Sequence, residues 1–332
     1  MKKEHIVKAF NNLAIYNIDL KKLRSKNFYK DMISNRASYY KTYKKYLNKK
    51  KSSCHLCKKN KSIFFAKYKN YILRECLNCR VIFNNLDVKN FKNSNFFTNN
   101  NLKYKDFKKE MAKTFLYRKK NFGKERLRYI KKKIFKKKKN FYVLDYGCGS
   151  GYFISALKDQ KIKARGIDID INAVKFCKSR KLNVDKSDLK SEPNKKYDLI
   201  TMFDTIEHFH DPVSELKEAA KKLKAKSYIL AFTPNIHSLS FELMGVDHNM
   251  LAVFDHICFF NNRSLKYLCK KTGLKIKSIE YFGLDIKDYF QYLQSENKIE
   301  FNTILNKFAN YTQSIIDNQK ISNSMRIIFQ KK

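Results

Sequence analysis

The stretch VLDYGCGSGYF, residues 143–153, constrains the fold of this chain more than any other segment. Three of the chain's 8 glycines fall at positions 147, 149 and 151. An apolar segment precedes them and a helical pattern follows, so the sequence predicts a strand, a tight turn and a helix start. Glycines allow unusual backbone dihedrals, and a helix N-terminus presents free N–H groups. We therefore predict a loop that a ligand approaches closely.

Strands and helices alternate from this loop to the end of the chain. This order predicts an α/β fold with a doubly wound, mostly parallel, seven-stranded sheet. Helices are predicted over residues 151–160, 171–180, 213–224 and 262–272. Strands are predicted over residues 141–147, 163–170, 182–188, 197–203, 227–235, 275–283 and 322–332.

The spacing of the glycines decides between classes of ligand. A dinucleotide loop reads G-x-G-x-x-G, but position 152 is Tyr and the third glycine comes one residue early. No Lys-Ser or Lys-Thr pair follows, as a P-loop requires. The pattern D-x-G-x-G-x-G instead resembles motif I of class I methyltransferases that use S-adenosylmethionine (SAM).

The resemblance implies a Rossmann-like sheet, SAM as the cofactor and a set of cofactor-binding residues. Asp168 ends the second strand, where the family has an acidic residue that binds the ribose hydroxyls. Asp188 follows the third strand, on the adenine side, and Asp204 follows the fourth, near the methionine end. The full implied set is Asp145, Gly147, Gly149, Gly151, Asp168, Asp188 and Asp204.

Three further motifs resemble one branch of that family, which acts on small molecules such as sugars and quinone precursors. They are EHFHDP at 207–212, TPN at 233–235 and HICFF at 256–260. The signature N/D-P-P-Y/F, which amino-group methylation of nucleic-acid bases usually shows, is replaced by DTIE after the fourth strand. The branch implies transfer of a methyl group to a hydroxyl of a small molecule, namely a sugar or a cell-surface or quinone-type precursor. An RNA or DNA methyltransferase and a non-catalytic SAM-binding scaffold stay open as alternatives.

A hydroxyl acceptor needs a group that removes its proton. Histidine suits this role because its pKa lies near neutrality. His208 and His256 are the candidate bases, with His248 a third, and Glu207 is a candidate that orients a histidine. Segments 236–260 and 285–320 are predicted to cap the acceptor site, the second as a helical insertion.

Four of the 8 cysteines have the spacing of a metal site. Cys54 and Cys57 form one C-x2-C pair, and Cys76 and Cys79 form another after 18 residues. This spacing predicts a structural zinc ribbon over residues 51–84, closed by four thiolates around a hairpin. Buried free thiols are the alternative. A zinc ribbon ahead of the catalytic domain also occurs in the family branch that the chain resembles.

The formal net charge of +42 admits two interpretations. A nucleic-acid or anionic-membrane partner is one, and the lysine run 131–139 supports it. A compositional bias toward Lys, Asn, Ile, Phe and Tyr is the other, and we favour it because lysines occur along the whole chain.

The remaining segments predict location and organisation. Residues 1–50 are predicted to form a basic helical extension and residues 141–332 the catalytic domain. Residues 85–140 are predicted to form a linker with amphipathic helices, whose apolar face carries Phe107, Met111, Phe115 and Leu116. No run of apolar residues is long enough for a transmembrane helix, and the N-terminus lacks the pattern of a secretory signal. We therefore expect a cytoplasmic protein with reduced cysteines. The sequence does not indicate an oligomeric state.

Overall fold

The computed structural model describes residues 18–49, 52–92, 94, 96, 107–136, 138–296 and 303–332, with the main chain alone for 107–111 and 303–307. These residues form two compact units. We call the first the cysteine unit; it comprises the described residues up to Asp87 together with Thr233–Ser264 and Ile279–Arg326. We call the second the glycine-loop unit; it comprises the described residues of Val88–Phe232, Leu265–Ser278 and Ile327–Lys332.

The described residues contain eleven strands in two sheets. The seven-stranded sheet has the order β10-β11-β8-β7-β4-β5-β6, and the four-stranded sheet has the order β1-β2-β3-β9. The strands are β1 Ser62–Tyr68, β2 Tyr71–Cys76, β3 Ile82–Asn84, β4 Val143–Tyr146, β5 Ala164–Asp168, β6 Val184–Lys186, β7 Tyr197–Phe203, β8 Leu223–Pro234, β9 Cys258–Phe259, β10 Leu274–Phe282 and β11 Ser324–Lys331.

The described residues also contain twelve α-helices, with a π-helical turn at Lys119–Gly123. Short 3-10 turns occur at Lys44–Tyr46, Ile206–His208 and Gly245–Asp247. The α-helices are α1 Leu20–Leu23, α2 Phe28–Tyr43, α3 Val88–Phe91, α4 Phe107–Arg118, α5 Lys124–Lys133, α6 Tyr152–Asp159, α7 Ile171–Ser179, α8 Pro212–Lys222, α9 Leu239–Met244, α10 Asn262–Thr272, α11 Asp285–Ser295 and α12 Thr303–Asn318.

The seven-stranded sheet confirms the predicted doubly wound α/β fold. Strand β4 pairs in parallel with β5 on one side and β7 on the other, and β5–β6 and β7–β8 are also parallel. Every residue of β7 is buried, as expected for a central strand covered on both faces. The chain moves outward from β4 to β6 and then crosses to β7, so the order reverses beside β4. Ligands of such sheets bind at this reversal, outside the carboxyl ends of the strands.

The basic segment before the sheet is helical, but its apolar face differs from the predicted one. Phe115 is buried, whereas Leu116 is 74% exposed. The side chains of Phe107 and Met111, also predicted for this face, lie outside the described residues.

The π-helical turn ends at Gly123, where a Cβ atom would lie 3.0 Å from Ala156 Cβ and 3.1 Å from the Tyr152 carbonyl oxygen. Glycine at this position therefore lets the helix pack closely against α6. The segment 85–140, predicted as a linker with helices, also contains the short helix α3.

The cysteine unit contains the predicted hairpin and a pairing that the sequence did not predict. Strands β1 and β2 are antiparallel and turn at Lys69, which has a φ of 53°. Strand β3 pairs with β2 and with β9, so that Phe83 lies opposite Cys258. Residues 54–87 and the segment 233–264 are therefore parts of one sheet and one unit.

A buried polar network joins the helical segments of the cysteine unit. The Asp285 carboxylate accepts hydrogen bonds from Ser240 Oγ (2.7 Å), Gln313 Nε2 (2.9 Å) and the backbone N–H of Asn323 (3.0 Å). Burial raises the pKa of Asp285, which is 1% exposed, and these hydrogen bonds oppose the shift. The predicted insertion 285–320 is thus helical and is held to α9 and to β11 by one carboxylate.

Candidate functional site

The three loop glycines all have left-handed backbones. Gly147, Gly149 and Gly151 have φ values of 73°, 51° and 69°. A Cβ atom at Gly147 would lie 2.6 Å from Thr205 Oγ1, and one at Gly151 would lie 2.7 Å from Cys177 Sγ. At Gly149 a Cβ atom would have no atom within 4 Å. Two glycines therefore permit close packing, and the third leaves open space beside the main chain at the start of α6.

Asp168 lies at the end of β5, beside this loop. Its Oδ2 atom accepts a hydrogen bond from Gly149 N (2.8 Å), and its Oδ1 atom accepts one from Asp170 N (2.8 Å). Burial raises the pKa of Asp168, and the two backbone N–H groups oppose this shift. A carboxylate has about four lone-pair sites, so two acceptor sites remain for a ligand such as a diol.

Asp145 is buried on β4, next to the loop. Its Oδ1 atom accepts a hydrogen bond of 2.6 Å from Thr201 Oγ1 on β7. Burial raises the pKa of Asp145 to about 7, although the Thr201 hydrogen bond and the charge of Arg126 lower it. Asp145 therefore ties β4 to β7 directly below the glycines.

The raised pKa of Asp145 predicts a pH-dependent stability. The folded protein binds this proton more tightly than the unfolded chain, whose carboxyl has a pKa of 3.8. This contribution to the unfolding free energy is complete below about pH 4 and is lost as the pH rises to about 7, in total on the order of 4 kcal/mol. Urea unfolding of Asp145→Asn should therefore show a weaker decline over this range than the wild type. Asp159→Asn, which removes an exposed carboxyl, is the control; equal pH profiles of Asp145→Asn and the wild type would contradict the assignment.

Arg126 is a site residue that sequence reasoning missed. Its guanidinium lies 4.0 Å from the centre of the Phe203 ring and 4.9 Å from that of Phe232, and donates a hydrogen bond to Tyr152 Oη. It is 6% exposed, and its buried Nε atom has no hydrogen-bond partner among the described residues. A buried cation with a spare donor at the carboxyl edge of the sheet suits an anionic group of a ligand. One arginine in a lysine-rich helix has no spacing that would reveal it from sequence.

Asp204 and Asp188 lie at the same edge of the sheet but differ in their surroundings. Asp204 follows β7 with a φ of 53°, unusual for a residue other than glycine, and its exposed carboxylate lies 3.7 Å from Arg126 Nη2. Asp188 is exposed after β6 and accepts two 3.0 Å hydrogen bonds from the N–H and hydroxyl of Ser191, which lower its pKa. The carboxylate of Asp188 thus closes its own turn.

The turn after β7 carries two of the predicted catalytic residues. Glu207 and His208 lie in the 3-10 turn that follows β7, Glu207 fully buried and His208 partly buried. The backbone N–H of His208 donates to the Thr205 carbonyl oxygen (3.1 Å). Thr205 also donates from its hydroxyl to the Tyr146 carbonyl oxygen (3.2 Å), which holds this turn to the start of the glycine loop.

The other two candidate histidines lie in the cysteine unit. His256 Nδ1 lies 2.8 Å from the carbonyl oxygen of Met250, which can only accept, so Nδ1 carries the proton and Nε2 is the basic nitrogen of the neutral ring. His248 is fully buried, with Nε2 2.8 Å from Ser240 Oγ and Nδ1 accepting from Met250 N. Burial lowers the pKa of His248 to about 3. Both of its ring nitrogens serve the polar network, so His248 is not available as a base.

The four cysteines predicted to bind metal come together. Their Sγ atoms all lie within 4.8 Å of one another, with Cys54–Cys79 at 3.5 Å and Cys57–Cys76 at 3.4 Å. Two turns of the same geometry hold them. Lys58 N donates to the Cys54 carbonyl oxygen and Arg80 N to the Cys76 carbonyl oxygen, each at 2.9 Å. Lys58 and Arg80 both have left-handed backbones, with φ values of 62° and 64°. None of these four cysteines forms a disulfide, and their sulfur atoms surround one point.

His55 lies within the first cysteine turn but does not join the cluster. Its Nε2 atom is 3.1 Å from both the carbonyl oxygen and Oδ1 of Asn84. Burial lowers its pKa to about 4. His55 therefore packs as a neutral residue against β3, and the cluster has four sulfur atoms only.

The sequence that contains the glycine loop matches a known protein family. Residues 116–279 match the family described as "Methyltransferase domain", and this stretch contains the loop, Asp168 and the 3-10 turn after β7. Residues 116–279 form a SAM-dependent methyltransferase domain. The matched residues begin on α4.

Relatives with curated names resemble the methyltransferase domain. The ubiquinone biosynthesis O-methyltransferase of Pelagibacter ubique is 27% identical over 205 residues, which is 55% of this chain and 85% of the relative. The enzyme of the same name from Nitrosospira multiformis is 28% identical over 152 residues, 41% of this chain and 64% of the relative. A solved SAM-dependent methyltransferase from Archaeoglobus fulgidus is 27% identical and covers 65% of this chain and 99% of its own, with a TM-score of 0.46.

None of the described helices combines the length and the apolar character that crossing a membrane requires.

Proposed function

We propose that this methyltransferase domain transfers the methyl group of SAM to a hydroxyl of a small molecule, with a quinone-type precursor as the first acceptor class and a sugar as the second. The observation that carries the proposal is the open space beside Gly149, next to an Asp168 carboxylate that keeps acceptor sites for a diol. The names of the two ubiquinone O-methyltransferase relatives favour the quinone-type acceptor.

The residues around the loop fit the parts of SAM. Asp168 would bind the ribose hydroxyls and Gly149 would lie against the cofactor. The buried Nε of Arg126 suits the carboxylate of the amino-acid part, with Asp204 nearby for the ammonium group. Asp188 would face the adenine, and Asp145, Gly147 and Gly151 would hold the loop in shape. SAM supplies a sulfonium-bound methyl group that a nucleophile attacks in line, so the chain has to position the acceptor and accept its proton.

His208 and His256 are our two candidates for the general base. His208 follows β7, at the carboxyl edge where ligands bind in such folds. His256 has its tautomer set by the Met250 carbonyl oxygen, which leaves Nε2 to accept a proton. Glu207 would orient a histidine rather than take the proton from the acceptor.

To test this proposal, the purified full chain is incubated with SAM and with each of two acceptor classes. These are catechol-type quinone precursors and nucleotide-linked deoxysugars. Release of S-adenosylhomocysteine (SAH) and the mass of the product report transfer. We expect methylation of the catechol class, and a loss in kcat of about a hundredfold in His208→Ala or His256→Ala. We take the low end of the usual range because a phenolic hydroxyl, with a pKa near 10, is already more acidic than an alcohol.

The affinity for SAH separates catalysis from binding in these variants. It should stay within about twofold of the wild type in both, as expected for a group that acts on the acceptor. Arg128→Ala, a substitution of an exposed side chain on α5, is the control. Transfer to sugars alone would contradict the quinone-type acceptor, and full activity in both histidine variants would remove this base assignment.

We further propose that the four-cysteine cluster binds one structural zinc ion. Zinc takes four thiolates at about 2.3 Å in a tetrahedron, which requires sulfur–sulfur distances of ~3.8 Å. The 3.4 Å and 3.5 Å pairs need only small shifts to reach that spacing. The four ligands would leave no open position for a substrate, so the ion would hold the ribbon and take no part in methyl transfer. These ligands are Cys54, Cys57, Cys76 and Cys79.

We also propose a cytoplasmic location, where such thiols stay reduced.

A further inference from the structure

Lysines collect at one edge of the methyltransferase sheet. Because β4 to β8 are parallel, the residues that precede these strands lie at the same edge. Lys163 precedes β5 and Lys196 precedes β7. Lys224 and Lys226 are among the first four residues of β8. Lys331 Nζ donates to the Leu223 carbonyl oxygen (2.9 Å), which brings the end of the chain to the same place.

The end of α5 adds lysines of the run 131–139, which was noted in the sequence. Lys131–Lys133 form the last turn of the helix. Between this helix and β4, the rings of Phe135 and Phe141 pack together with their centres 4.3 Å apart. Lys138 Nζ contacts Asp198 at 2.7 Å at the start of β7. We call the ranges 131–136, 138–139, 161–163, 195–196, 224–226 and 331–332 the lysine edge. Every lysine described in these ranges except Lys331 is exposed.

The carboxylates next to the lysine edge are already paired. Asp198 accepts from Lys138 and also from Lys224 (2.9 Å). Glu192 accepts from the Arg165 guanidinium at 2.9 Å and from the Tyr197 hydroxyl. Two of the described edge lysines, Lys138 and Lys224, share one carboxylate, so the edge keeps a large net positive charge.

The carboxylates of the glycine-loop side lie at the opposite edge. Asp168, Asp188 and Asp204 all follow strand ends. The seven residues of β7 separate the two edges by about 20 Å. Lysines that are spread along the sequence are therefore collected by the fold on one side of the sheet, away from the cofactor loop.

We propose that the lysine edge binds the phosphate backbone of a nucleic acid, without reading its sequence, at a site separate from the methyl-transfer site. Lysine is a point charge that suits phosphate, and it lacks the planar fork with which arginine reads guanine. The lysine edge lies along five neighbouring strands about 4.8 Å apart, so it is about 19 Å across and spans several phosphates of a strand. This partner is independent of the acceptor proposed above.

The exposed apolar residues favour a nucleic acid over a membrane. Proteins that lie on membranes insert apolar side chains beside their lysines. In the described part of the glycine-loop unit, the large exposed apolar residues are Leu116 and Ile169, and neither lies in the lysine edge. An edge that carries charge but no such side chain suits a phosphate backbone.

The test compares two variants with the same net charge. One replaces Lys132, Lys139, Lys195 and Lys226 of the lysine edge with glutamine. The control replaces four exposed lysines of the same unit outside the edge: Lys113, Lys120, Lys175 and Lys217. Fluorescence anisotropy measures binding of the full chain to a single-stranded RNA of about 30 nucleotides between about 50 and 200 mM KCl.

We expect the edge variant to lose at least about tenfold in RNA affinity at 100 mM salt, with a salt slope shallower by up to about 3, since each lost contact removes about 0.7. The control should stay within about threefold, and both variants should keep wild-type affinity for SAH. Equal losses in both variants, or none in either, would overturn the proposal. Sedimentation with phosphatidylglycerol vesicles that depends on the edge lysines, while RNA binding does not, would assign the edge to a membrane instead.

Discussion

Replacing Asp168 with alanine is expected to weaken SAH binding by at least a hundredfold in isothermal titration calorimetry. The carboxylate keeps two acceptor sites for a diol after bonding Gly149 N and Asp170 N. Hydrogen bonds to a charged group contribute about 1.5–3 kcal/mol each, so the loss of two costs about 3–6 kcal/mol. The substitution also releases the main chain of the glycine loop, which adds to the loss.

Two further variants separate ligand binding from loop structure. Asp168→Asn keeps one acceptor oxygen near Gly149 N and should fall between the wild type and the alanine variant. Asp185→Ala removes a carboxylate from the neighbouring strand, where it contacts Arg165 and Lys178, and should bind SAH normally. Unchanged affinity in a folded Asp168→Ala protein would show that this carboxylate does not bind the cofactor.

The second large effect is expected at the cysteine cluster. Elemental analysis of the purified chain should give about one zinc per chain, because the cluster offers one set of four thiolates. Cys76→Ser should abolish this zinc and unfold the ribbon, since structural zinc contributes on the order of 10 kcal/mol to folding in small zinc-binding peptides. Hydrogen exchange of residues 54–87 would report the unfolding as lost protection of β1 to β3.

Cys269→Ser is the matched control for the cluster. Cys269 is also buried, but it lies on α10, outside the cluster. This variant should keep its zinc and the protection of the ribbon. A wild-type chain that is free of metal and still protects β1 to β3 from exchange would contradict the zinc proposal.

The succession of strands and helices along the chain and the cofactor loop were predictable because they are local or periodic properties. Each of the seven predicted strands is present, and helices α6, α7, α8 and α10 begin and end within a few residues of the predicted ends. Gly147 and Gly151 have positive φ values, and a Cβ atom at either position would clash with Thr205 or with Cys177. Glycine is therefore required at both positions, and the sequence shows this pattern directly. The cysteine hairpin was predictable for the same reason, since two pairs at fixed spacing form a local motif.

The site residues that sequence reasoning missed are held by contacts between distant segments. Arg126 belongs to a helix before the sheet, and only packing against Phe203 and Phe232 brings its guanidinium to the carboxyl edge. His248 was a plausible base in the sequence, yet its burial on Ser240 keeps it neutral. Neither the partners nor the burial of a side chain is encoded in its immediate neighbours.

By itself, the sequence determined the fold class, the cofactor loop and the cysteine pairs, because hydrophobic period, glycine spacing and cysteine spacing act over short stretches of chain. The tertiary structure alone decided where the charges lie. Lysines spread along the sequence favoured a compositional origin for the net charge, but the parallel strands β4 to β8 have all their starts at one edge of the sheet and all their ends at the other. The lysines before the strands therefore meet on one side of the sheet, and the carboxylates after them surround the glycine loop on the other.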